Sequence, residues 1–300
     1  MNQIILGLWP IAGITSGGVT RADSLATIQV AIDLGIDTFD TAYSYGFDGE
    51  SDRLLGEVLR RDANRGCSLA VIGKVGQRWT ANGQRVIDAS PQQLTSDAEA
   101  SLERIGVERF DWLMLHAVDP NVDVRRSAGA IDALWQRGLA TKVGVCCASA
   151  EDLIRFADAC PCSAIQCPLN LFQQESLRPL IETAAGLGAE SHVYWTLMKG
   201  LLAGRISRDH VFDVADSRPK YDIFQGESRK RAHDVIDKLA VLASHSNTTV
   251  ARLSIGWALS QPGVTAALVG AKRPDQIHET ALAVTLNADL LAAVNHALDE

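Results

Sequence analysis

Four titratable residues stand at or just beyond the ends of apolar runs: Asp40, Tyr45, Lys74 and His116. Lys74 ends the apolar part of Leu69-Ala70-Val71-Ile72-Gly73-Lys74-Val75-Gly76, which reads as a strand buried on both faces. A lysine is almost never fully buried unless it is paired. Left alone in a low dielectric, its ammonium costs several kcal/mol or its pKa falls. The chain must therefore bring a carboxylate to it, and Asp40 ends another apolar run. The chemistry this set suits is proton transfer to a carbonyl oxygen. A tyrosine hydroxyl has a reference pKa of about 10, and a neighbouring ammonium is expected to lower it. Asp40 would keep Lys74 charged and aimed, and His116 would hydrogen-bond and orient the substrate oxygen. An acid or base placed in this way contributes on the order of 10²–10⁴-fold in rate. Each residue alone also has a structural reading: Asp40 can cap a turn, Tyr45 can edge a core, and His116 can be a satisfied buried histidine. Their convergence on one face weighs against all of these at once. The sequence has no Gly-x-Ser-x-Gly elbow, and no His-x-His or carboxylate cluster for a metal. The hard step is therefore assigned to an organic cofactor.

Elements alternate along the chain and must position these groups. Strands are expected at Ile4 to Trp9, Ile36 to Asp40, Leu69 to Lys74, Asp111 to His116, Thr141 to Cys146, Ala164 to Cys167, His192 to Thr196 and Thr265 to Val269. Thr20 is a plausible N-cap for a helix running to about Leu34, with Gly35 as its stop. Further helices are expected over Glu50 to Arg61, from Pro91, over Ser127 to Arg137, Glu151 to Ala159, Leu177 to Gly186, Val250 to Ser260 and Pro274 to Val284. Strands alternating with helices imply βαβ units and a parallel sheet. Eight units in 300 residues point to a closed (β/α)₈ TIM barrel, one α/β domain over residues 1–300. In such a barrel the site lies at the C-terminal strand ends. The residues there read Trp9, Asp40 with Tyr45, Lys74, His116, Cys146 with Cys147, Gln166 with Asn170, and Tyr194. The stretch Arg205 to Gly226 is polar with three aromatics, too long for an idle connection, and reads as a flap.

Composition bounds the partners. The formal net charge of -8 argues against a general nucleic-acid or anionic-membrane binder. No stretch approaches the roughly 18 apolar residues of a membrane span. The start, Met1-Asn2-Gln3-Ile4-Ile5, lacks a signal-peptide pattern, so a cytoplasmic protein is expected. Cys67, Cys146, Cys147, Cys160, Cys162 and Cys167 contain no Cys-x-x-Cys pair and read as reduced thiols.

Several segments resemble the aldo-keto reductases. They are Phe39-Asp40-Thr41-Ala42-Tyr43-Ser44-Tyr45-Gly46, then Gly49-Glu50-Ser51-Asp52-Arg53-Leu54-Leu55-Gly56, then Ser101 to Val107 leading into Asp111-Trp112-Leu113-Met114-Leu115-His116. Ile165-Gln166-Cys167-Pro168-Leu169-Asn170 and Gly200-Leu201-Leu202-Ala203-Gly204 also fit, in the right order and over nearly the full length. The resemblance implies a barrel that binds an extended nicotinamide dinucleotide, with Asp40, Tyr45, Lys74 and His116 as catalytic tetrad and Tyr45 as general acid. It implies that Tyr194 stacks under the nicotinamide, with Gln166 and Cys146 at its carboxamide. Backbone amides of Leu197, Gly200 and Leu202 would meet the pyrophosphate. Gly270, Lys272, Arg273 and Gln276 lie in a segment resembling the adenosine-phosphate site, just before a helix start. Lys272 and Arg273 suit a 2′-phosphate, so NADPH (NADP⁺) is expected over NADH. Trp9, Phe47, Trp79, His116 and Phe224 are the candidate pocket walls for a small carbonyl or sugar substrate. The same tetrad would serve an NAD(P)⁺-dependent sugar or alcohol dehydrogenase, and a nucleotide-sensing regulatory subunit is the reading from another class. Oligomeric state is open. Three departures from the family stand out. Cys146-Cys147 replaces a Ser-Asn pair, Trp195-Thr196 replaces a Ser-Pro, and Thr280 stands where an adenine-contacting asparagine is common. The N-terminal hairpin that plugs the barrel bottom is expected to be missing or short.

Overall fold

A computed structural model describes residues 3–13, 18–62, 69–174, 178–214 and 216–299. Cys67 and the expected helix start at Leu177 lie outside the described residues. Eight parallel strands close into a barrel: β1 (Ile4–Gly7), β2 (Thr38–Asp40), β3 (Ala70–Val75), β6 (Phe110–Leu115), β7 (Ala140–Cys146), β8 (Ala164–Pro168), β9 (Glu190–Tyr194) and β10 (Ala266–Gly270). Each strand pairs with its sequence neighbour in the barrel, and β1 closes the ring by pairing with both β10 and β2. The fold is the expected (β/α)₈ barrel. An antiparallel hairpin, β4 (Gln77–Trp79) and β5 (Arg85–Ile87), follows β3 and was not expected.

The strands form where short apolar runs can be buried on both faces. One parity packs outward on the helices: Leu6, Phe39, Val71, Leu113, Val143 and Ile165 share the large core with Ile28, Leu55, Leu94 and Ile131. The other parity fills the barrel interior with Ile5, Ile72, Trp112, Met114, Ala164, Ala266 and Leu268. Two residues beyond an inward apolar position the strand presents its next inward side chain. Ile72 is thus followed by Lys74, Met114 by His116 and Ala164 by Gln166. This alternation carries the polar groups to the C-terminal mouth.

The barrel floor is filled by side chains. Trp112 meets His192 edge-on at 5.9 Å between ring centroids, and Lys142 lies 4.7 Å above the Trp112 ring. Glu190 holds both Lys142 (2.7 Å) and His192 (2.9 Å).

The helices are α1 (Arg21–Asp33), α2 (Glu50–Asp62), α3 (Pro91–Ile105), α4 (Val124–Gln136), α5 (Ala150–Ala157), α6 (Arg178–Gly186), α7 (Gly226–His245), α8 (Val250–Leu259), α9 (Pro274–Thr280) and α10 (Ala288–Asp299). Thr20 caps α1 as expected, accepting from the Asp23 amide. Helix α9 stops four residues before the expected Val284. Two helices were missed, α7 and α10. Helix α7 buries Ala232, Ile236, Leu239 and Ala243 at helical spacing, so its signal was present. The stretch Arg205 to Gly226, expected as a flap, has regular structure in its described part. It folds into two 3-10 turns, Arg218–Lys220 and Asp222–Phe224, and buries Phe224 against Phe212 at 5.6 Å. Phe224 therefore belongs to the core and is not a pocket wall.

One buried carboxylate ties helices to the mouth. Asp52, fully buried in α2, accepts from the Thr41 hydroxyl (2.6 Å) and from Ser101 of α3 (2.7 Å). Thr41 directly follows Asp40, so this knot fixes the chain leaving β2. Burial, only partly offset by Thr41 and Ser101, raises the Asp52 pKa from 3.8 to about 6. The folded state thus holds this proton more tightly than the unfolded chain. The Asp52 contribution to stability is then greatest at low pH and falls by about 3 kcal/mol as pH rises through the interval between those two values. Urea titrations of wild type and Asp52→Asn at a series of pH values should show this decline in the wild type and its loss in the variant. Parallel pH profiles would contradict the assignment.

Candidate active site

Lys74 and Asp40 are both buried and form an ion pair inside the barrel mouth. Gln166 donates from Nε2 to the other Asp40 oxygen at 2.7 Å. Strands β8 and β2 lie on opposite sides of the barrel, so this bond crosses its lumen. Backbone pairing holds the set in register. Thr41 and Tyr43 donate to the Ile72 and Lys74 carbonyls, and His116 donates to Val75. Burial pulls the Lys74 ammonium down, but the Asp40 carboxylate beside it more than reverses this. Lys74 is therefore firmly charged.

Tyr45 lies beyond β2, in a turn closed by its amide on the Ala42 carbonyl and by the Ser51 amide on its own carbonyl. Its ring meets Trp9 edge-on at 5.1 Å and His116 at 5.7 Å. The Lys74 ammonium sits 4.8 Å from the ring centroid. The structure thus brings Asp40, Tyr45, Lys74 and His116 together. The expected electrostatic effect on Tyr45 is reversed, however. Lys74 does favour the phenolate, but burial is the larger influence and Asp40 adds to it, so the hydroxyl pKa rises above its ordinary value. Tyr45 is a held proton, not an incipient phenolate.

His116 is buried and neutral, its pKa pushed well below the usual imidazole value by burial and by the Lys74 and Arg85 charges. Arg85 of β5 approaches its Nε2 at 3.2 Å. A guanidinium only donates, so Nε2 is the acceptor and the ring proton lies on Nδ1. Nδ1 has no partner among the described residues. Arg85 also donates to Ser44 Oγ at 3.3 Å and lies 4.8 Å above the Trp9 ring. Phe47, largely exposed, packs on Trp79 at 4.8 Å, and Trp79 donates to the Ser44 carbonyl at 2.9 Å. Trp9, Phe47 and Trp79 therefore rim the mouth on one side. Arg85 was missed in the sequence because it lies in an unexpected hairpin, outside any strand end.

The opposite rim carries thiols. Cys146 and Cys147 have their sulfurs 3.4 Å apart, and Cys147 Sγ lies 3.1 Å from the Tyr194 hydroxyl. Cys147 is exposed, with a left-handed backbone (φ 53°). The loop after β9 is also left-handed at Trp195, Met198 and Lys199, conformations that persist where the surroundings impose them. Lys199 sits 4.0 Å from the Trp195 ring and 4.4 Å from that of Tyr221, which pins the loop under the Arg205 to Gly226 segment. The Gly200 and Leu202 amides both donate to the Leu197 carbonyl (2.9 and 3.1 Å), so they close this turn instead of pointing outward. Beyond β10, the Gln276 side chain accepts from the Lys272 amide at 2.7 Å and shapes the turn that follows Gly270. Burial, then the charges of Arg218 and Arg273, lower the Lys272 pKa. Arg218, paired with Asp216, and Arg273, 3.5 Å from Asp275, thus stand within electrostatic reach of Lys272, a grouping that the sequence did not reveal.

Among the described residues no group of three His, Cys, Asp or Glu side chains could hold a metal, and no helix is long and apolar enough to cross a membrane. The contact with Cys146 lowers the Cys147 pKa to about 6, aided by Tyr194, Lys74 and Arg85 against burial. The hydrogen bond with Cys147, then burial and the charge of that partner thiolate, push Cys146 upward. Iodoacetamide should therefore label Cys147 first, at a rate that falls to half near pH 6, as read by peptide mass spectrometry. Labelling with a midpoint near the ordinary thiol value of about 8.5 would contradict this.

A model of the Aldo/keto reductase family matches residues 3–299. The aldo-keto reductase YhdN of Bacillus subtilis is 30% identical over 277 residues, covering 92% of this chain and 83% of that protein. The NADH-specific methylglyoxal reductase of Escherichia coli is 26% identical over 301 residues, covering 96% and 91%. The structure of a glycerol dehydrogenase from Gluconobacter oxydans superposes with a TM-score of 0.90 at 30% identity, covering 99% of this chain and 91% of that one. With the barrel, the family match and these relatives in agreement over nearly its whole length, the chain belongs to the aldo/keto reductase family of oxidoreductases.

Proposed function

We propose that the protein reduces the carbonyl group of a small aldehyde or ketone with NADPH, Tyr45 delivering the proton. The observation that carries this reading is Tyr45 set between a charged Lys74, 4.8 Å from its ring centroid, and a neutral His116, 5.7 Å between rings. When bound, the nicotinamide supplies the hydride. Everything else falls to the chain. The substrate oxygen gains negative charge as it is reduced, and the Lys74 ammonium stabilises that charge and the phenolate left on Tyr45. Asp40 and Gln166 hold Lys74 in place. Trp9 and Trp79 exclude water from one side of the mouth.

The residues fit a nicotinamide dinucleotide at both ends. Lys272, Arg273 and Arg218 form the cationic group suited to a 2′-phosphate, with Gly270 at the turn beside them. Tyr194 and Cys146 with Cys147 would border the nicotinamide. Gln166, whose Nε2 is committed to Asp40, retains its oxygen as the acceptor for a carboxamide. Relatives are divided over the nucleotide: one is named NADH-specific, and an aldo-keto reductase of Schizosaccharomyces pombe, 25% identical over 281 residues, is named for NADP(+). The choice of NADPH here therefore rests on this chain's own cations.

Tyr45→Phe should lower kcat for aldehyde reduction by at least about 10²-fold. NADPH affinity, read by fluorescence titration, should stay near wild type. Retained turnover would remove Tyr45 as the acid. Replacing Lys272 and Arg273 by alanine should reduce the NADPH-over-NADH preference in kcat/KM by roughly 10–100-fold, the worth of one or two charge-assisted hydrogen bonds. An unchanged preference would place the phosphate elsewhere.

A further inference from the structure

The β4–β5 hairpin carries two arginines with different surroundings. Arg78 reaches the buried carboxylate of Asp97 at 2.5 Å. Arg85 reaches no carboxylate among the described residues. Its polar contacts are His116 Nε2 and Ser44 Oγ, and its flat face rests on Trp9. The anionic-capable groups within its electrostatic reach are Tyr45, Cys147, Cys146 and Tyr194, all of them lining the mouth. Lys74 is matched by Asp40, whereas Arg85, exposed at the mouth, has no carboxylate partner among the described residues and stays open to an incoming anion. The hairpin holds it there: Arg85 pairs in register with Trp79, which is anchored on the Ser44 carbonyl.

We infer that Arg85 anchors a carboxylate or phosphate carried by the carbonyl substrate itself. This rests on the carbonyl-reductase reading above. A guanidinium is suited to either anion, since its planar fork matches two oxygens at once. Position limits the substrate further. Arg85 lies 3.2 Å from His116, and His116 faces the ring of Tyr45, where the carbonyl oxygen must come. The anion must therefore sit within a few bonds of the carbonyl, as in a 2-oxo acid or a phosphorylated short aldehyde. Binding also couples to the tetrad. Arg85 occupies His116 Nε2 in this structure; an anion that draws the guanidinium to itself frees that nitrogen, and with the ring proton moved from Nδ1 to Nε2 it donates to the carbonyl oxygen. A neutral carbonyl compound supplies no such pull.

Matched substrate pairs test this: phenylglyoxylate against its methyl ester, and glyceraldehyde 3-phosphate against glyceraldehyde, each with NADPH. Wild type should favour the anionic member of at least one pair by roughly tenfold or more in kcat/KM, mainly through KM. The pair that shows the preference identifies carboxylate or phosphate as the anion. Arg85→Leu should reduce that ratio by roughly 10–100-fold, and Arg85→Lys should restore part of it. No preference in either pair, or a ratio that Arg85→Leu leaves intact, overturns the inference while carbonyl reduction itself stands. Absence of turnover on all four compounds, and on a panel of neutral aldehydes with either nucleotide, overturns the carbonyl-reductase reading and the inference with it.

Discussion

The buried pair of Lys74 and Asp40 organises the mouth of this barrel. Taking an ammonium and a carboxylate out of water costs several kcal/mol per ion, and their attraction offsets this only with good geometry and further hydrogen bonds. The fold supplies both. Strands β2 and β3 are neighbours, so the two charges meet side by side. Gln166 then reaches across the lumen to the remaining carboxylate oxygen. The pair is in this sense a constraint on the whole ring: strands on two sides of the barrel must hold their register for it to be satisfied.

The electrostatics of the neighbouring groups follow from it. A matched pair adds little net charge, so burial dominates at Tyr45 and keeps its proton on. At His116 burial and two nearby cations act together, and the imidazole stays neutral. Burial also opposes ionisation at Cys147, yet the contact with Cys146 outweighs it. The mouth thus holds a proton donor, a neutral imidazole, a paired lysine and an exposed arginine set between His116 and Trp9 without a carboxylate. That division is what a site for carbonyl chemistry requires, with polarity concentrated where the substrate oxygen would sit.

Much of this was legible in the residues. Strand ends at Asp40, Lys74, His116 and Gln166 could be read because an apolar run that stops at a polar residue is a local signal with period two. The motif around Phe39 to Gly46 carried the turn that presents Tyr45. Helices α7 and α10 were missed although α7 shows its spacing plainly. Arg85 and Arg218 were missed for another reason. One lies on a short hairpin and the other in an irregular segment, and neither periodicity nor chain order says where such side chains end. Phe224 was misplaced in the same way: an aromatic in a polar loop can cover a pocket or join the core, and packing against Phe212 decided for the core.

The sequence by itself determined the alternation of strands and helices, and with it which side chains point into the barrel. Both are properties of neighbouring residues, imposed by the pleat of a strand and the pitch of a helix. Tertiary structure decided the pairing partners of those side chains. It set Gln166 on Asp40, Arg85 on His116 and Glu190 on Lys142 and His192, and it turned the expected depression of the Tyr45 pKa into a rise. Those outcomes depend on depth of burial and on contacts between residues as many as 126 positions apart, such as Gln166 and Asp40. Burial and distance exist only once the ring has closed.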